Sequence, residues 1–197
     1  MPASCATRVS NNYFTVVALL VRIRTILFRT MLLLKELPTS ASLLKFTARY
    51  PQTDIRSIAD FVNLLRAASD ISDALDKLLA KHNLLQGRWW VLVLLMREDD
   101  LTSSPSALAE KVGVTKATMT GFIDGLEREC LISRVMDTVD RRKLVIQLTA
   151  AGQQKLDAVM PDYCDKVQAL MTKLSLPERD AMLASVKTLA ENVDVMK

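Results

Sequence analysis

The sequence predicts a mainly α-helical chain with one small β-hairpin, and three observations lead there. Long stretches repeat apolar residues at spacings of three and four, two short helical patterns meet at Gly113, and two aliphatic, partly β-branched runs flank a charged tip. Half of the 197 residues are hydrophobic, enough to build a core.

The two short helices come from Ser104 to Arg128. Ser104 is a capping side chain and Pro105 suits the first helical position, where a missing N–H costs nothing. Leu108 and Val112 form an apolar face, and Gly113 tolerates the positive φ that ends a helix. Thr115 can cap a second helix with Met119, Ile123 and Leu126 on its inner face. Two short helices joined by a tight glycine-containing turn make a helix-turn-helix. Strands are then expected at Leu131–Met136 and Leu144–Leu148, with the polar link Asp137–Lys143 projecting between them. Such a unit suits B-DNA, with the second helix in the major groove and a loop arginine in the minor groove beside it.

The runs LAEKVGVTKATMTGFIDGLER, LISR and DRRKLVIQLTAAG resemble the MarR family of winged-helix bacterial transcription regulators. The similarity extends more loosely from about Asp54 to the C-terminus, through LQGRWWVL and LSLPER. Its most specific part is Asp140-Arg141-Arg142 at the tip of the hairpin, the wing. The resemblance implies a winged helix-turn-helix flanked by N- and C-terminal dimerisation helices, which are residues 54–81 and 153–197 here, with 86–149 between them. It also implies an effector, often small, aromatic or anionic, whose binding releases DNA.

On that reading, Thr115, Lys116, Ala117, Thr118, Thr120 and Gly121 form the outward, DNA-facing side of the recognition helix. Thr115 and Thr118 can donate to phosphates, and Ala117 and the threonine methyls can meet thymine methyls. Many relatives carry arginine where this chain has Gly121 and Gly125, so bidentate guanine readout is scarce and specificity leans on DNA shape and the wing. Asp140, Arg141, Arg142 and Lys143 are the expected wing contacts, Arg142 reaching into the minor groove. Ser104 and Ser106 can meet a phosphate at a helix N-terminus, although capping accounts equally for Ser104. Arg88, Trp89 and Trp90 are candidates for an effector pocket, against the simpler reading of the tryptophans as core anchors.

The helix expected at Asp54–Lys81 has a stripe of Ile58, Phe61, Val62, Leu65, Ile71, Leu75, Leu78 and Leu79. A helix over Gln86–Arg97 is apolar all round and expected to be buried, but Leu85 cannot cap it, which leaves its start open. Glu98-Asp99-Asp100 reads as a solvated loop. Two last helices are expected, Gln153–Leu174 bent at Pro161, and one from Pro177 to Met196. Their near-heptad stripes need a partner surface. A homodimer supplies it, and its two-fold axis suits a palindromic operator in double-stranded DNA.

Charge is unevenly placed. The net charge is +4, but residues 1–53 contribute +6 and residues 54–197 contribute −2. DNA binding therefore rests on a local patch and not on overall charge. Tyr13–Leu37 is apolar yet interrupted by Arg22, Arg24 and Arg29, a poor membrane span and a poor signal peptide. Three readings stand for residues 1–53: an extra helix packed on the dimer, a membrane-surface segment, or an artefact of an upstream start codon. Pro38 and the TSAS after it are expected to separate this extension from the body.

Three cysteines, Cys5, Cys130 and Cys164, fit a reducing cytoplasm better than a disulfide framework. One histidine, no cysteine pair at ligand spacing and no phosphate-binding glycine loop argue against a metal site, a cofactor or an enzyme. Two rivals to an effector-released repressor remain. One is a membrane-associated or protein-interaction module on a winged-helix scaffold. The other is a thiol-based redox sensor through Cys130, which stands where relatives commonly have a left-handed glycine.

Overall fold

The computed structural model describes residues 37–136 and 144–196. The chain divides into two compact units at Gln86/Gly87, each taken in turn.

The first unit contains α1 (Ser40–Arg49) and α2 (Ile55–Lys81). Helix α1 corrects the expected separator: Thr39 caps it by accepting the Ser42 N–H at 3.2 Å, so the TSAS stretch starts a helix. Apart from Leu37, the apolar stretch from Tyr13 lies outside the described residues. Helix α2 starts as expected, with the Asp54 carboxylate accepting the Arg56 and Ser57 N–H groups at 3.0 and 3.3 Å. It ends in a left-handed turn at Asn83 (φ +54°), where Asn83 N–H reaches Ala80 O and Leu84 N–H reaches Leu79 O, both at 3.0 Å. This is a Schellman closure, with Leu79 and Leu84 both buried. Along the α2 stripe Ile58, Phe61 and Ile71 stay exposed.

The second unit begins within α3 (Gln86–Met96), which forms at the expected start although leucine precedes it. It continues through β1 (Thr102–Ser103), α4 (Pro105–Val112), α5 (Lys116–Arg128), β2 (Ile132–Met136), β3 (Leu144–Leu148), α6 (Ala150–Met171) and α7 (Leu176–Glu191). The strands form an antiparallel sheet in the order β1-β3-β2, with Ile132 opposite Leu148 and Met136 opposite Leu144. The expected hairpin is present, and β1 is an addition that pairs Thr102 with Gln147. Trp89, Leu92, Leu95, Met119, Ile123 and Leu126 are among the buried side chains.

Three expectations need correction here. Helix α6 starts at Ala150 and not at Gln153, because the Thr149 hydroxyl accepts the Gly152 N–H at 3.0 Å, and Pro161 lies inside it. Helix α7 stops at Glu191, with a 3₁₀ turn over Val193–Met196 beyond it. The acidic loop is not merely solvated. Glu98 pairs with Lys111, and the Asp100 carboxylate accepts Thr102 N–H at 3.1 Å and its hydroxyl at 2.6 Å.

No helix among the described residues is long and apolar enough to cross a membrane.

Candidate nucleic-acid interface

The helix-turn-helix is built from two capped helices and one left-handed glycine. Ser104 Oγ accepts the Ala107 N–H at 3.2 Å, Pro105 follows at the first helical position, and Gly113 (φ +74°) closes α4. Val114 N–H reaches back to Ala109 O at 3.0 Å, which turns the chain into α5. Thr115 then caps α5 by accepting the Thr118 N–H at 3.2 Å, its hydroxyl 2.9 Å from that of Thr118.

Helix α5 has two faces, as its spacing predicts. Met119, Ile123 and Leu126 are buried, whereas Thr115, Lys116, Ala117, Thr118, Thr120 and Gly121 are all exposed. The chemistry of that outer face is specific. The Thr120 hydroxyl donates to Lys116 O at 2.9 Å, so it offers the outside an acceptor and a methyl group. A β-carbon at Gly121 would meet nothing within 4 Å among the described residues, which leaves the face shallow beside Ala117. Lys116 has no carboxylate partner among the described residues. The surface can therefore offer one cation, hydroxyls and methyls to a polyanion and to base edges.

Ser104 is half-buried and Ser106 exposed, their hydroxyls 3.1 Å apart at the start of α4. The described parts of β2 and β3 end at the Met136–Leu144 pair, and Asp140, Arg141, Arg142 and Lys143 lie outside the described residues.

Sequence reasoning missed the residues that hold α5 in place. Arg134 on β2 bridges Asp124 and Glu127 of α5, and Arg88 on α3 pairs with Glu129 at 2.6 Å. The spacing of Asp124 and Glu127, three apart on one helical face, was a usable signal for a bridging cation. Arg88 was singled out only for an effector pocket, and no local pattern pointed to its pairing with Glu129. Of the three candidates for an effector pocket, Arg88 is 14% exposed with its guanidinium against Gly125. Trp89 is fully buried, its ring 5.2 Å from that of Tyr163, and Trp90 is half-buried. Trp89 thus sits in the core. Its indole N–H and the Arg88 Nε have no hydrogen-bond partner among the described residues. Cys130 is half-buried and adopts the left-handed conformation that its position implied, at φ +58°.

A profile of the MarR family matches residues 84–144, which span α3 to the start of β3. The chain is also 32% identical over 164 residues to the HTH-type transcriptional repressor YetL of Bacillus subtilis, covering 83% of this chain and 98% of that protein. The chain belongs to the MarR family. MarR proteins are transcription regulators and not enzymes, which agrees with the expected class. Solved MarR structures share the fold. Sco3205 of Streptomyces coelicolor, solved in complex with DNA, superposes with a TM-score of 0.66 at 20% identity, over 71% of this chain and 88% of that one. AbsC of the same organism gives 0.65 at 23% identity, over 72% of this chain and 96% of that one.

Proposed function

We propose that the protein is a cytoplasmic, homodimeric MarR repressor that binds a palindromic operator and leaves it when a small aromatic or anionic effector binds. The observation that carries the reading is the two-faced α5: a buried apolar side, and an outer side of small, hydroxylated and cationic residues. In this reading Thr115, Lys116, Ala117, Thr118, Thr120 and Gly121 enter the major groove. Asp140, Arg141, Arg142 and Lys143 take the minor groove beside it, and Ser104 and Ser106 meet a phosphate. With no long side chain at Gly121 or Gly125, thymine methyls and DNA shape dominate the readout.

The dimer is supported by apolar side chains left open on single elements. Helix α2 exposes Phe61 and Ile71, and helix α7 exposes Leu183, Val186 and Leu189. A second copy covering such faces is the expected solution for a symmetric regulator. The repressor sign rests on YetL and on other relatives named as repressors, such as NicR of Pseudomonas putida. An anionic effector reaching Arg88 would compete with Glu129 for the guanidinium and so act on the C-terminal end of α5.

Selection of bound duplexes from a random-sequence library, with the mass of the complex measured by sedimentation, tests this. A two-fold-symmetric site bound by two copies is expected. An asymmetric site bound by one copy would overturn the dimeric reading.

A further inference from the structure

Helix α5 ends in the same Schellman closure as α4, but with cysteine in the left-handed position. Cys130 N–H reaches Glu127 O at 2.9 Å and Leu131 N–H reaches Leu126 O at 3.0 Å. The carbonyls that follow are taken up by the start of α6. Thr149 Oγ1 donates to Cys130 O at 2.8 Å and Thr149 N–H donates to Leu131 O at 3.2 Å. The same hydroxyl accepts the Gly152 N–H at 3.0 Å, so one side chain caps α6 and anchors the end of α5. Gly152 makes the approach possible, because a β-carbon there would stand 2.1 Å from Leu131 O and 2.6 Å from Leu148 Cδ1.

We propose that Thr149 is a positioning residue for operator recognition: it fixes the C-terminal end of α5 to the first turn of α6, so that α6 sets the angle at which α5 meets DNA. The proposal rests on the dimeric reading above, in which α6 belongs to the dimer frame. The lever is long. Helix α5 has 13 residues and spans about 20 Å, so a tilt of about 5° at Cys130 moves Thr115 by about 1.7 Å. A recognition surface tolerates far less than that, since productive contacts hold geometry to about 0.5 Å. A clamp made of two backbone carbonyls, one hydroxyl and one glycine is stiff because each partner is itself held in a helix end.

The test separates the clamp from the cap. Thr149→Asp keeps an acceptor for the Gly152 N–H but has no proton for Cys130 O, Thr149→Val has neither, and Thr149→Ser has both. Each is measured on duplexes with two half-sites at the selected spacing and at spacings one and two base pairs longer, with dimer mass and helical content as controls. The wild type and Thr149→Ser are expected to prefer the selected spacing strongly, and Thr149→Asp and Thr149→Val to lose about fivefold or more of that preference. If Thr149→Asp keeps the full preference, Thr149 acts as a cap alone and the proposal is overturned, even if Thr149→Val loses stability. If the wild type shows no spacing preference, the dimeric reading falls and this proposal with it.

Discussion

Arg88 lies across Gly125, where a β-carbon would stand 2.1 Å from its Nη2, and its Nη1 donates to Glu129 at 2.6 Å. The side chain thus covers the C-terminal part of helix α5 and ties down its end. Replacing it by alanine uncovers Gly125 and leaves Glu129 without this partner, while Glu129 itself keeps 37% exposure. Arg88→Ala is expected to lower unfolding free energy by about 1–2 kcal/mol, mostly through lost packing because the pair is partly solvated. Urea denaturation measures it, and an unchanged midpoint would mean that the contact contributes nothing.

Two helical glycines predict changes of opposite sign. Gly121 faces open space, so Gly121→Ala is expected to stabilise the fold by about 0.5–1 kcal/mol through helix propensity. Gly152 abuts a backbone carbonyl that cannot swing aside, so Gly152→Ala is expected to cost about 1–3 kcal/mol. Paired thermal melts decide both, and a common sign would contradict the packing described.

Cys130 keeps a left-handed backbone at φ +58° that glycine adopts without steric penalty. Cys130→Gly is therefore expected to raise stability by about 1 kcal/mol. A loss of stability in the same denaturation assay would show that the side chain contributes more than its backbone costs.

Two helix starts make stability depend on pH. The hydroxyl and then the backbone N–H of Ser175 hold the Glu178 carboxyl below its ordinary 4.5, and Ser57 likewise holds Asp54 below 3.8. A depressed folded value adds stability that is present above the ordinary value and lost as pH falls through the lower folded one. Acidification below about pH 4.5 is thus expected to fray α7 at its N-terminus, and Glu178→Gln to remove that part of the pH dependence. Amide exchange at the start of α7 across pH reads the effect, and identical profiles for both proteins would contradict it.

Lys116→Ala and Arg142→Ala test the two halves of the DNA surface. Each is expected to weaken binding and to flatten the salt dependence by about one ion. Lys116→Ala is expected to act evenly across sequences if its ammonium meets a phosphate and not a base edge. Arg142→Ala is expected to act most on operators with a narrow, A·T-rich minor groove. Titrations at several salt concentrations separate them, and an unchanged slope for Arg142→Ala would remove the wing from the interface.

The helix-turn-helix was legible because its signals are local. Ser104, Gly113 and Thr115 punctuate the chain where the structure caps and turns it, and Met119, Ile123 and Leu126 are buried as their spacing demands. Strand β1 was not legible, since two residues have no periodicity and pair only because β3 is beside them. The start of α6 was misplaced by three residues because Thr149, just past the strand that ends at Leu148, was not read as a cap. The contacts of Arg88 with Gly125 and Glu129 span 37 and 41 positions of sequence, beyond any local pattern. Helix α1 was passed over because Thr39, next to Pro38, was read as a breaker when it is a cap.

The central claim is that two recognition helices and two wings of one dimer read a palindrome. A hydroxyl-radical footprint on the selected operator, taken through a salt series, tests it most directly. Two protected half-sites about one helical turn apart are expected, flanked by minor-groove protection that Arg142→Ala removes, all fading steeply as salt rises. A single protected stretch without symmetry, insensitive to salt and to Arg142→Ala, would contradict it.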